Sequence, residues 1–223
     1  MDNPVTIDIW SDIACPWCYI GKRRLEEALA AFSEQPGAPP VSVEYHSFEL
    51  APDSPVDFEG GEIDFLVRHK GLPEAEVVQM LEHVAGIARS AGLEFDFERV
   101  RHTNTVKAHQ LLHHARANDL QPQAVERLMS AYFIEGRHLG HDDELADLAA
   151  ELGLDRADVL RSLRDGEHLD AVHADQRRAR EYGITGVPFF VIDGRYGLSG
   201  AQPAETFLAA LTRAAGDRVE ATA

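Results

Sequence analysis

Cys15 and Cys18 are the only cysteines in 223 residues, and they stand where a strand-like segment gives way to a helix-like one. Val5-Thr6-Ile7-Asp8-Ile9-Trp10 is rich in β-branched residues and predicts a strand. Trp17 to Leu29 follows a helical pattern, and Pro16 suits its first turn, where a missing N–H would have no intrahelical partner. Pro36-Gly37-Ala38-Pro39-Pro40 ends that helix, and Val41 to Phe48 predicts a second strand. The opening is therefore a βαβ unit with both thiols at its first strand-to-helix turn.

That placement has chemical content. The free N–H groups and positive dipole end of a helix favour a thiolate, and a second thiol one turn away can resolve a mixed disulfide. We expect Cys15 to be the exposed nucleophile and Cys18 the more buried resolving thiol. A zinc site would need four ligands and no second cysteine pair exists, so no metal is assigned. Two inert structural thiols are the third reading. The βαβ setting favours the redox reading.

Composition limits the partners. A formal net charge of -17 repels phosphate backbones and anionic lipid, which argues against nucleic-acid and membrane binding. Met1-Asp2-Asn3-Pro4 runs directly into the first strand with no secretory pattern, and no apolar run approaches a membrane span. The expected location is cytoplasmic, where a close cysteine pair is catalytic, sensing or metal-binding rather than a scaffold.

From about Gly61 to Gly183 the period becomes helical. Val77, Met80, Leu81, Val84, Ile87 and Ala88 recur at helix spacing after Pro73, and similar patterns fill 104–117, 122–135, 142–152, 156–164 and 168–182. Asn104, Asp142 and Asp155 predict N-caps, while Gly136, Gly153 and Gly183 predict stops. Strand character returns at Val187 to Asp193, with an Asp193-Gly194 hairpin turn, a strand over Arg195 to Ser199, and a last helix over Pro203 to Ala215. The fold class is α/β: a core formed by 1–57 and 184–223, interrupted by an all-helical insertion over 58–183. In Gly186-Val187-Pro188-Phe189-Phe190 the proline withholds a ladder donor, which predicts a special turn; cis and trans forms of Val187–Pro188 are both open at this point.

The strand-Cys-Pro-Trp-Cys-helix opening, the helical insertion, the Gly-Val-Pro-Phe-Phe strand and Ser199-Gly200-Ala201-Gln202-Pro203 resemble the DsbA family. Ser11-Asp12-Ile13-Ala14-Cys15-Pro16-Trp17-Cys18-Tyr19-Ile20-Gly21 and Ser199-Gly200-Ala201-Gln202 are similar to its cytosolic FrnE-like subgroup. The resemblance implies a thioredoxin-like core with a large helical insertion and a cis-proline loop at Val187 and Pro188. There the backbone would pair with extended substrate and shield the thiolate. Pro188 in trans, or Cys15 deeply buried, would sink that transfer. Catalytic roles would then fall to Cys15, Cys18 and Pro188, and substrate binding to Trp17, Val187, Ser199, Gly200 and Gln202. The partners implied are protein or small-molecule thiols and disulfides, with no cofactor, glutathione as a candidate co-substrate, and an open oligomeric state.

Kappa-class glutathione transferases and 2-hydroxychromene-2-carboxylate isomerases share this element order but carry serine where Cys15 stands. In that alternative Val187 and the helix N-terminal donors of Ser199 to Gln202 would hold glutathione. A non-redox binding protein or holdase is the remaining alternative.

Other residues have plainer expectations. Asp12 reads as an exposed loop carboxylate, with a proton role for Cys15 as its sharper reading. Trp17 leaves no cation between the thiols. Phe48 and Leu50 suit an apolar groove or ordinary core. His109 and His113, an i, i+4 pair followed by His114, read as a packed or solvated helix face rather than a metal site. Asn104 is sufficiently explained as a cap. Lys22-Arg23-Arg24 reads as a solvated basic face that could attract glutathione.

Overall fold

The structure, a computed structural model, describes residues 4–222, with side chains through residue 218. Met1, Asn3 and the residue between them, on which the reading of the N-terminus partly rests, lie outside the described residues, as does Ala223.

β1 (Val5–Ser11), α1 (Pro16–Ser33) and β2 (Val41–Ser47) form the expected βαβ unit. β1 and β2 are parallel, with Ile9 opposite Tyr45 and Trp10 opposite His46. After the insertion come β3 (Phe189–Ile192), β4 (Tyr196–Ser199) and α9 (Ala204–Thr222). β3 runs antiparallel to β1 and β4 antiparallel to β3, giving a sheet order β2-β1-β3-β4. Asp193 and Gly194, where the hairpin turn is expected, both have positive φ, 56° and 65°, and with Arg195 they form a three-residue loop between the paired residues Ile192 and Tyr196. β1 is thus a central strand, and its alternation buries Val5, Ile7 and Ile9 on the face packed by α1 and α9. Trp10 points to the other face, where it packs with Ala179, Ile184 and Val191.

Between β2 and β3 lie α2 (Glu62–Lys70), α3 (Glu74–Ser90), α4 (Val106–Arg116), α5 (Gln121–Ser130), α6 (Asp142–Glu151), α7 (Arg156–Asp165) and α8 (Leu169–Glu181). The predicted helix over 122–135 changes character, because Ala131–Glu135 forms a π-helical turn before Gly136 stops it at φ 68°. Asp155 caps α7 as expected, accepting from the Asp158 N–H at 2.8 Å. The other two predicted caps shift by one residue: Thr105 precedes α4 and His141 precedes α6. Asn104 still accepts from the Val106 N–H at 2.9 Å and donates to the Pro52 carbonyl at 2.8 Å, which ties the start of α4 to the loop after β2.

The insertion is fastened to the sheet by buried charge. His46 of β2 hydrogen-bonds Asp175 of α8 through Nδ1 at 2.9 Å and Asp8 of β1 through Nε2 at 2.7 Å. The second Asp175 oxygen accepts from the Ser47 N–H at 2.9 Å and lies 3.0 Å from His113 Nε2 of α4. Trp10 stacks on the His46 ring at 4.6 Å and donates to the Asp175 carbonyl. Desolvation opposes a charged His46, but its carboxylate partners outweigh burial and push its pKa up to about 9. Asp175 moves the opposite way: burial would raise it, yet His113 and His46 hold it well below the carboxylate range.

Candidate active site

β1 ends at Ser11, and the chain turns through Asp12 to Ala14 before Pro16 opens α1 with Cys15 as its N-cap. No side chain caps this end, and the Cys18 N–H donates to the Cys15 carbonyl at 3.0 Å. Cys15 and Cys18 are 3.3 Å apart, both free thiols. Val187–Pro188 is cis, and the Val187 carbonyl oxygen lies 3.7 Å from the Cys15 sulfur. Pro188 is buried and its own carbonyl accepts from the Gly200 N–H at 2.8 Å. Gly21 lets α1 approach this loop: a Cβ there would meet Pro188 Cγ and Phe190 Cζ at 3.2 Å.

The expected exposure of Cys15 is corrected, and of the two conditions set against the transfer of roles, a trans Pro188 is absent while the burial of Cys15 is met. Cys15 is 3% exposed, the same as Cys18, although Trp17 between them is 36% exposed. The turn places the indole outward, while the Cys15 sulfur faces the Val187 carbonyl. Cys18 titrates well above the ordinary thiol range, mainly through burial and then through the neighbouring Cys15. The nearby Ser11 hydroxyl and Asp12 backbone partly offset this.

Asp12 is not the exposed loop carboxylate that the sequence suggests. It is 1% exposed and accepts from the Leu50 N–H at 2.8 Å and the Ala14 N–H at 3.3 Å, with His109 Nε2 also 3.3 Å away. Burial would raise its pKa, but His109 and the Leu50 N–H outweigh burial and hold it below the usual range. His109 therefore does not belong to a solvated face: α4 delivers it, fully buried, beneath the cysteine turn. His113 is likewise buried, committed to Asp175. The π-helical turn adds Tyr132, whose buried hydroxyl has its pKa raised by desolvation and by the charges of Glu62 and Asp12.

The remaining expected binding residues are placed as follows. Val187 is half-buried beside Cys15, and Ser199 is exposed in β4 opposite Phe189. Gln202 donates to the Ser199 carbonyl at 2.7 Å. The notion that Ser199 to Gln202 present free helix donors to a carboxylate is corrected: α9 begins only at Ala204, and the Gly200 N–H is used by Pro188. The basic run is also not a solvated face. Lys22 is 5% exposed and pairs with Glu126 of α5 at 2.6 Å and Glu26 at 2.5 Å, Arg23 pairs with the same two carboxylates, and Arg24 donates to the Ala201 carbonyl at 2.5 Å. Leu50, 45% exposed, begins a 440 Å³ groove with Pro52, Pro55, Phe58 and Phe65, while Phe48 packs against the Trp10 cluster instead.

Sequence reasoning missed Asp8, His46 and Asp175. Position gave a signal for one of them: His46 follows Tyr45 near the end of the predicted second strand, where an imidazole that becomes buried requires a partner. The partner, 129 residues away, had none.

A four-stranded mixed sheet carrying a cysteine pair at a helix start beside a cis-proline loop defines a thioredoxin-fold protein with a dithiol site. The DSBA-like thioredoxin domain family matches residues 6–212, and the chain belongs to that family. It is 38% identical to the structure of probable DsbA oxidoreductase SCO1869 from Streptomyces coelicolor, covering 95% of this chain and 90% of that one with a TM-score of 0.87. The fold is shared with a 2-hydroxychromene-2-carboxylate isomerase, at 16% identity, 98% and 100% coverage and a TM-score of 0.72. It is also shared with the cytosolic disulfide reductase DsbM from Pseudomonas aeruginosa, at 22% identity, 93% and 97% coverage and a TM-score of 0.62. Among the described residues no helix is long and apolar enough to cross a membrane.

Proposed function

We propose that the protein is a cytoplasmic dithiol–disulfide oxidoreductase in which Cys15 exchanges and Cys18 resolves. The observation that carries this reading is the pair of sulfurs 3.3 Å apart at an uncapped helix start, with Cys15 beside the Val187 carbonyl. In the reducing direction the Cys15 thiolate attacks one sulfur of a substrate disulfide, forming a Cys15–substrate disulfide and releasing the other sulfur as thiolate. Cys18, after losing its proton, attacks the Cys15 sulfur; the substrate leaves as its second thiolate and Cys15–Cys18 holds the two electrons' worth of oxidation. A cytoplasmic glutathione poise favours this direction over net oxidation.

Cys15 is buried, so an incoming sulfur must displace what stands over it. Trp17 and Leu50, both exposed beside the turn, and the Val187 backbone are the surfaces a substrate would meet first. Ser199, exposed at the end of β4, and Gln202, which donates to its carbonyl, are assigned to substrate contact, with Gly200 supporting Pro188. Glutathione is a fitting small thiol to recycle the pair, and DsbM has been solved with it.

The test is insulin-disulfide reduction together with the dithiol reduction potential against glutathione, for wild type, Cys15→Ser and Cys18→Ser. A two-electron couple with activity abolished in Cys15→Ser is expected, and Cys18→Ser should accumulate a mixed disulfide on Cys15. Activity that survives Cys15→Ser sinks the reading. Saturable glutathione binding without any exchange would favour the transferase or isomerase chemistry instead.

A further inference from the structure

Among the described residues, two groups of three imidazole and carboxylate side chains bring a ligand atom each within 4.8 Å of one another. One is Asp57, His138 and His141. It is closed by its own hydrogen bonds: the Gly140 N–H donates to His138 Nδ1 at 3.2 Å, so His138 Nε2 carries the proton and faces Asp57, which also lies 2.8 Å from His141 Nε2. The positive charge of Arg101 further opposes a cation there.

The other group is His114, Glu167 and His168, whose ligand atoms lie within 4.8 Å of one another. His114 comes from the last turn of α4, and Glu167 and His168 come from the turn joining α7 to α8. Gly166, at φ 66°, reverses the chain there, with the Glu167 N–H held by the Ser162 carbonyl at 3.0 Å. The His114 and His168 rings stand edge to face, centroids 5.6 Å apart. Among the described residues none of these three side chains makes a hydrogen bond, although His114 and His168 are wholly or partly buried. Asp158 of α7 brings a second carboxylate: its Oδ2 is 3.6 Å from His114 Nε2, while its other oxygen pairs with Arg161.

We propose that His114, His168 and Glu167 bind a divalent cation of the zinc class and tie α4 to the turn joining α7 and α8. Two imidazole nitrogens and carboxylate oxygens suit zinc, cobalt(II) or nickel(II) rather than magnesium or calcium. Bonds of about 2.0–2.2 Å need the donors drawn closer than they stand, a movement that the exposed Glu167 side chain makes by rotation about its own bonds. Imidazoles are mostly neutral at pH 7, the form that ligates.

Cysteine thiolates also bind zinc, so the titration uses untagged Cys15→Ser/Cys18→Ser protein freed of metal, and alkylated wild type as a second background. Zinc is added in a calorimeter and in thermal unfolding, then repeated with His168→Ala, Glu167→Gln and His138→Ala. One equivalent of zinc should bind at micromolar free metal and raise the melting temperature. His168→Ala and Glu167→Gln should each weaken binding by about tenfold or more, and His138→Ala should leave it unchanged. No uptake at micromolar zinc overturns the site, as does uptake unaffected by either His168→Ala or Glu167→Gln, or uptake lost in His138→Ala.

Discussion

The sulfur of Cys15 lies 3.7 Å from the carbonyl oxygen of Val187, 172 residues further along the chain. The two sides of the site are thus supplied by the two sides of the helical insertion. The loop that would receive a substrate backbone also limits access to the thiol.

The two thiols should be separable by pH. Burial holds Cys18 well above the ordinary thiol range. In a Cys15→Ser variant, Cys18 should react slowly with iodoacetamide near neutrality and accelerate only in alkaline solution. In Cys18→Ser, Cys15 should react ahead of it at pH 7, as its role as the attacking thiol requires. Rates followed by mass spectrometry test this, and matching pH profiles would refute it.

The His46–Asp175 pair predicts a stability profile with two flanks. His46 is raised in the folded state, from 6.5 to about 9, so its contribution is complete below about pH 6.5 and is lost as pH rises through about 9. Asp175 is lowered, so its contribution is present above about pH 3.8 and fades as pH falls toward the folded value. Urea midpoints should peak between those limits and decline from pH 6.5 to 9. His46→Gln should flatten the alkaline flank and cost about 3 kcal/mol at pH 6, since it leaves Asp175 buried with less compensation. An unchanged alkaline slope would exclude His46 as its source.

Glu126 joins α5 to α1 by accepting from Tyr19 at 2.7 Å and from Lys22 at 2.6 Å. Desolvation raises the Glu126 carboxyl, but these donors and Arg23 outweigh it and hold it below its usual range. Glu126→Gln should destabilise by about 1–2 kcal/mol, modest because Glu26 still neutralises Lys22 and solvent screens the site. Tyr19 adjoins Cys18, so disulfide exchange should slow as well. Chemical denaturation and insulin reduction measured together check both parts, and a neutral result in both would show the pair to be idle.

Gly21 separates α1 from the Pro188 loop. Gly21→Val would drive two methyl groups toward Pro188 and Phe190, where even a Cβ already sits at 3.2 Å. The expected cost is about 1–3 kcal/mol. Exchange activity should fall further than stability alone explains, because the displaced loop carries Val187 away from Cys15. A folded Gly21→Val protein with wild-type exchange rates would contradict that coupling.

The βαβ opening, the hairpin after β3 and the cysteine turn were legible because each is specified by residues within a few positions: Pro16 starts α1, and Asp193-Gly194 turns the hairpin. Asp155, Gly136 and Gly153 were legible for the same reason. The burial of Cys15, Asp12 and Lys22 was not, because it depends on chain that arrives from far away: Val187 over Cys15, His109 against Asp12, and Glu126 against Lys22. Local pattern marks a charged side chain as solvent-facing until a distant partner of opposite charge or a hydrogen-bonding carbonyl is known. His113 and His114 show the limit sharply: adjacent in sequence, they face different elements, one toward Asp175 of α8 and the other toward Asp158 of α7.

The 172 residues between the two halves of the site also set an order of events during synthesis. At about 5–20 residues per second, Cys15 and Cys18 emerge roughly 10–30 s before Val187 does. Through that interval β1 has β2 to pair with but neither β3 nor the carbonyl that stands beside Cys15. The ribosome-bound chain therefore carries two reactive, unshielded thiols for nearly the whole of its translation. Any product released before residue 187 would be an open dithiol without the strand that closes over it.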